Sequence, residues 1–253
     1  EAFPMIASRV SKIQCSFFFV VVLSTMSLRG QSVEGLLTRA ELTDFAETTS
    51  YEEVMGLSKS LAELSDNIHL TTFGYTNEGR ALPLLVVGAP GASAAAVLGT
   101  GKTRVYVQGN IHGGEVCGKE ALLMLLRGYA MGRYPSWTEE LVLLIAPIYN
   151  ADGNERVLLR NRPRQHGPIG GMGQRPNAQG LDLNRDHTKL DSPEARSLVR
   201  LMTEYDPHVA VDLHTTNGTR HAYHLTYSPP LHPNTPAAID DLLRRRWLPE
   251  ITR

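Results

Sequence analysis

Cysteine is scarce: the 253-residue chain carries two, Cys15 and Cys117. Cys15 lies in an N-terminal stretch with the marks of a removable leader. Without it Cys117 has no partner in this segment, so a disulfide-stapled fold is excluded. Cys117 falls on the first turn of an apolar helix, where a small buried core residue is expected. Charge of one sign is also lacking. Against 25 Lys and Arg stand 26 Asp and Glu, which gives no electrostatic case for nucleic acid or an anionic membrane surface. Long apolar runs are missing too. The longest, from Phe17 to about Leu28, includes several Ser and Thr and is too short and polar for a comfortable membrane span. The chain has no internal repeat and no linker to a second domain. A small molecule or a peptide remains as the partner.

The leader is read from Arg9 and Lys12, the Phe17–Leu23 block and the polar Gly30-Gln31-Ser32 that follows. Residues 1–30 are therefore expected to be a signal peptide and the protein to be exported, periplasmic or secreted, with no membrane contact after signal removal. Glu1 precedes a plausible initiator, Met5, and the chain stops at "WLPEITR" without a turn signal. Residues 31–253 are expected to be part of a domain that is incomplete at its C-terminus.

Ser50-Tyr51-Glu52-Glu53 has the spacing of a capping box, and Val54, Leu57, Leu61 and Leu64 follow at helical intervals. Strands are expected at Ile68–Tyr75 and Leu82–Val87, joined by a turn at Asn77–Arg80. Residues 89–103 are small and polar and read as a surface connection into a strand at Arg104–Gln108. A helix from about Glu115 to Met131 and an apolar strand at Leu141–Ile148 come next. The Gly- and Pro-rich stretch from Asn150 to Asn184 is too long to be an ordinary connection. Ser192-Pro193-Glu194 opens another helix, Val209–His214 forms a strand, and Pro236–Trp247 a last helix. This alternation predicts an α/β fold with a mixed, largely parallel central sheet flanked by helices.

In such sheets functional groups collect beyond the carboxyl ends of the strands. His112 and Glu115, in "HGGE", follow one strand. Their spacing alone proves little, since nine His and the Glu content of the chain supply roughly 0.6 such pairs by chance. Gly113 and Gly114 are expected to let the loop bend and aim both side chains at one point. Asn150-Ala151-Asp152-Gly153 follows a second strand, and His214 closes a third. Two His and one Glu from separate strand ends make a zinc site with a fourth position for water. The long loop adds Arg160, Arg162 and Arg164, then Asn184 and Arg185, groups suited to gripping a carboxylate. A substrate with a free carboxylate near the bond being cut is expected.

The order His-x-x-Glu, Asn-x-Asp-Gly, Gly-x-Asp-x-Asn-Arg and Asp-x-His resembles the zinc carboxypeptidase (carboxypeptidase A-like) family, from about residue 50 to the end. The variant "GNIHGGE … GLDLNRD … DLHTTNG" looks closer to bacterial exported members than to digestive ones. The resemblance implies one Zn2+ held by His112, Glu115 and His214. It implies Asn184 and Arg185 on the terminal carboxylate of a peptide substrate, and Asp182 behind a ligand His, fixing its tautomer. It also implies an Arg that polarises the scissile carbonyl; Arg162 matches best and Arg160 stays open. The family's general base is a later Glu. Glu250, the one Glu after His214, follows a helix and is not assigned that role, so little turnover is expected of this segment alone. Two alternatives carry the same motifs: a zinc amidohydrolase that deacylates N-acyl amino acids, and a zinc- or peptide-binding domain without catalysis.

Overall fold

Two apolar runs, "LPLLVV" and "LVLLIA", are the spine of the fold, because neither leaves a polar face for solvent. In the computed structural model, which describes residues 32–253, they are neighbouring strands of a five-stranded sheet. In chain order the strands are β1 (Ile68–Tyr75), β2 (Ala81–Val87), β3 (Thr103–Gly109), β4 (Leu141–Ala146) and β5 (Val209–Leu213). Their spatial order is β1-β2-β4-β3-β5. β1–β2 and β2–β4 pair antiparallel, whereas β3 pairs parallel with both β4 and β5. Four strands thus run one way and β2 alone runs against them, a mixed sheet of the kind expected. The signal peptide expected at 1–30 lies outside the described residues. Val33–Arg253 forms one unit.

Helices cover both faces. α1 (Arg39–Leu42) and α2 (Tyr51–Glu63) precede the sheet, and α3 (Ala94–Leu98) lies before β3. α4 (Val116–Ala130) and α5 (Pro135–Glu140) separate β3 from β4. α6 (Ala151–Glu155) follows β4, and α7 (Pro193–Tyr205) leads to β5. Leu61 of α2 and Leu122 and Leu126 of α4 pack on Leu85, Val87, Leu143 and Ile145. Leu198 and Leu201 of α7, with Val97 of α3, pack on Leu82, Leu84, Val86, Val142 and Leu144. Odd and even residues of β2 and β4 therefore fill opposite cores, the reason these strands are apolar throughout.

Sequence signals set the helix starts. Ser50 and Glu53 close a reciprocal capping box on α2, and Ser192 accepts from Ala195 N ahead of Pro193 at the start of α7. The connection 89–103 is not wholly irregular, since Ser93 caps the short α3. The expected last helix begins as α8 (Ala237–Asp241), passes through a wider turn at Leu242–Trp247 and ends as α9 (Leu248–Ile251). Among the described residues no helix is long and apolar enough to cross a membrane.

Cys117 does not lie in the core: it is exposed. α4 buries Gly118, Lys119, Glu120, Leu122, Leu123, Leu126, Gly128 and Tyr129. Cys117 shares the outward face with Ala121, four residues on.

Candidate metal centre

Because β3, β4 and β5 are mutually parallel, their carboxyl ends and outgoing loops lie at one end of the sheet. β3 leads into Asn110, in the left-handed region at φ 63°, then into the turn 112–115, closed by Glu115 N donating to His112 O at 2.8 Å. Glu115 stands at the N-cap of α4 and makes no capping bond with its side chain, so its carboxylate is free to face away from the helix. The glycines of the turn serve close approach rather than a left-handed bend. Neither has positive φ. A Cβ on Gly113 would lie 2.2 Å from the backbone of Gly153, and one on Gly114 2.4 Å from the carbonyl of Gly173.

β5 brings His214 to the same place. Glu115 Oε1 is 2.9 Å from His112 Nδ1, and Oε2 is 3.0 Å from His214 Nδ1. The ring centroids are 5.3 Å apart. One donor atom from each of the three residues fits within a mutual distance of 4.8 Å. Tetrahedral zinc with bonds of about 2.1 Å sets its donors roughly 3.4 Å apart, so two imidazoles and a carboxylate at these separations fit the ion. The far nitrogens are occupied: His112 Nε2 lies 3.2 Å from Asp182 Oδ1, and His214 Nε2 lies 2.8 Å from Asp212 Oδ2. A proton held on Nε2 by each carboxylate would leave Nδ1 turned inward, free to take a metal.

The electrostatics are those of a buried anion with its cations in place. Burial opposes ionisation of Glu115, but the His112 and His214 rings and the Thr215 N–H outweigh it and hold its carboxyl far below the usual range. His214 is pushed up to about 10, first by Asp212 and then by Glu115, against a smaller burial effect. Arg162 reaches the cluster directly: Nη2 donates to Glu115 Oε1 at 2.7 Å, and its side chain is nearly buried. Arg160 and Arg164 are exposed. Glu250 is exposed as well, 3.7 Å from Arg246.

Asp182 begins the short 3-10 turn Leu183–Arg185 and accepts from Asn184 N at 3.0 Å. Asn184 and Arg185 are thereby tied to the residue behind His112. Arg185 is exposed and donates to Asn184 O at 2.8 Å; among the described residues neither side chain bonds to the His–Glu–His group.

Two neighbours of the cluster had no role assigned from the sequence, Arg175 and Asp212. Arg175 grips Asp182 Oδ2 through Nε at 3.0 Å and Nη2 at 2.8 Å, and its Nη1 lies 3.4 Å from His112 Nδ1. Asp212 sits two residues before His214, and that spacing was the available signal: on a strand, i and i+2 share a face. The Asn-x-Asp-Gly turn proves to be architectural. Asn150 caps α6, donates to Ile111 O at 3.2 Å and Arg175 O at 3.1 Å, and so joins the loop that holds His112 to the Arg175 segment. Asp152 is fully buried and accepts from Thr76, Glu78 and Arg80.

Residues 55–237 match the family model for zinc carboxypeptidases. Carboxypeptidase 2 of Trichophyton rubrum is 29% identical over 171 residues, 66% of this chain and 28% of that protein. Carboxypeptidase E of Caenorhabditis elegans is 30% identical over 186 residues, 68% of this chain and 37% of its own length. The chain thus spans between a quarter and two fifths of these relatives. Among solved structures, a metallo-carboxypeptidase from Burkholderia cenocepacia matches with TM-score 0.51 and 22% identity, over 66% of this chain and 41% of that one. Carboxypeptidase A from Helicoverpa armigera matches with TM-score 0.52 and 20% identity, over 68% and 47%. Both show the fold. The chain belongs to the zinc carboxypeptidase family, whose metal is zinc.

Proposed function

We propose that the protein to which this chain belongs is an exported zinc metallocarboxypeptidase that hydrolyses the C-terminal bond of peptides with a free terminal carboxylate. The observation that supports it most is the convergence of His112, Glu115 and His214 within 4.8 Å, with two guanidinium groups, Arg162 and Arg175, on the same cluster. Zinc held by these three donors would supply Lewis acidity toward water and a substrate carbonyl.

The remaining tasks fall to the chain's own residues. Asp182 and Asp212 fix the imidazole tautomers. Arg162, pinned near Glu115, is the candidate for stabilising negative charge that develops on a carbonyl oxygen. Arg175 is a second candidate for that role, since its Nη1 lies against His112. Asn184 and Arg185, in the turn that Asp182 caps, are assigned to the substrate's terminal carboxylate, a planar anion that a guanidinium fork matches.

The test is an assay of the full-length protein on one peptide with a free C-terminus, the same peptide amidated, and an N-acyl amino acid. Release of the last residue from the free peptide alone is expected. Preferred cleavage of the N-acyl amino acid would overturn the assignment in favour of an amidohydrolase, and zinc binding with no hydrolysis would reduce the site to a binding module.

A further inference from the structure

Asn110 lies outside every role assigned so far, yet its side-chain amide reaches three carbonyls of the 112–115 turn. It is fully buried. Its Nδ2 lies 3.0 Å from Gly113 O, 3.3 Å from Glu115 O and 3.4 Å from His112 O. One amide group with two hydrogens thus faces three carbonyls of a four-residue turn. The orientation of the amide follows from chemistry, since turning it over would set Oδ1 against all three oxygens. From the other side, the Asn110 carbonyl accepts from Asn150 N at 3.0 Å.

We propose that Asn110 is a positioning residue for the metal centre, its amide fixing the 112–115 turn in the shape that aims His112 and Glu115 at one point. The inference rests on the metal reading above. Peptide groups are planar, so fixing the carbonyl directions of 112, 113 and 115 fixes the peptide planes. The directions in which the two ligand side chains leave the backbone are then set as well. The turn's own internal bond, Glu115 N to His112 O, constrains one of these carbonyls.

The residue also carries two costs. Its φ of 63° is left-handed, a conformation Gly adopts most freely and Asn next best. Its Oδ1 is buried without a partner among the described residues, an arrangement that is destabilising on its own. A Gly would avoid both. Apart from the larger entropy that Gly loses on folding, what Asn offers over Gly here is the donor Nδ2, and the bonds found for that donor all go to the 112–115 turn. Strain and an orphaned polar atom on one residue beside a functional loop are the pattern of a position held for function rather than stability.

The test compares the full chain with Asn110→Gly, which keeps the backbone conformation and deletes the donor, and with Asn110→Asp, which puts an acceptor in its place. Val54→Ala, on α2 and packed in the core with Leu123, Ile148 and Ala151, serves as a stability control. Zinc affinity is read by chelator competition, coordination by the visible spectrum of the Co2+ form, and stability by urea unfolding without metal. Asn110→Gly is expected to weaken zinc binding tenfold or more and to alter the cobalt spectrum, while Val54→Ala loses stability and keeps both. Wild-type affinity and spectrum in Asn110→Gly would overturn the proposal, as would an equal change in Val54→Ala. Should Asn110→Asp not fold, Asn110→Gly decides alone. A wild-type chain that takes up neither zinc nor cobalt would instead overturn the metal reading, and this inference with it.

Discussion

Replacing Glu115 by Gln keeps the volume of the side chain and removes its charge, and the consequences can be worked from its four partners. The carboxylate lies 2.9 Å from His112 Nδ1 and 3.0 Å from His214 Nδ1, and it accepts from Thr215 N at 3.1 Å and Arg162 Nη2 at 2.7 Å. The amide offers one acceptor oxygen and turns an NH2 toward donors. The nearly buried Arg162 loses its counter-charge, and breaking one side of a buried pair costs roughly 3–5 kcal/mol. Taking the lower figure, because His214 is partly exposed, the metal-free variant should be less stable by about 3 kcal/mol, more than a hundredfold in the folded-to-unfolded ratio. Zinc then widens the gap. At a concentration 100 times the wild-type Kd, binding stabilises the wild type by about 2.7 kcal/mol. A variant whose Kd is raised 100-fold gains only about 0.4 kcal/mol under the same conditions. Urea unfolding with and without zinc should therefore show a difference that grows from about 3 to about 5 kcal/mol. A difference that zinc leaves unchanged, or a metal-free loss below about 1 kcal/mol, would refute the reasoning.

Burial drives the ammonium of Lys119 down to about 8 from 10.5. The unfolded chain then binds more protons between these values, so this group's contribution to stability rises with pH from 8 to 10.5, by roughly 3 kcal/mol at most. Lys119→Met should remove that rise relative to the wild type, and parallel stability–pH curves for the two proteins would count against it. Gly113→Ala drives a methyl group to 2.2 Å from the Gly153 backbone and should cost about 3 kcal/mol or more; an unchanged Tm would show that the turn is not pressed against that segment. Asp212→Asn should weaken zinc binding about 10- to 100-fold by loosening the His214 ring, as measured by chelator competition, and wild-type affinity would remove Asp212 from the site.

The features legible in the sequence were those set by short-range pattern. The short apolar runs at 82–87 and 141–146 read as strands covered on both sides, and Ser50 and Ser192 announce helices through local capping bonds. His112, Glu115 and His214 were found because each follows a strand end, and parallel strands deliver their ends to one place. What stayed hidden depends on contacts between distant segments. Arg175 meets His112 across 63 positions in a loop whose path no periodicity reveals. The closeness of Gly113 to Gly153 likewise exists only once β3 and β4 are side by side. Cys117 was misplaced because the first turn of an apolar helix was expected to be core, whereas α4 leaves Cys117 and Ala121 exposed.

Zinc content tests the central claim most directly. The full-length wild type, His112→Ala and His214→Ala would each be loaded with zinc, dialysed against metal-free buffer and analysed for metal by mass spectrometry. One zinc per wild-type chain and substoichiometric zinc in both variants is the expected result. Wild-type stoichiometry in either variant would contradict it.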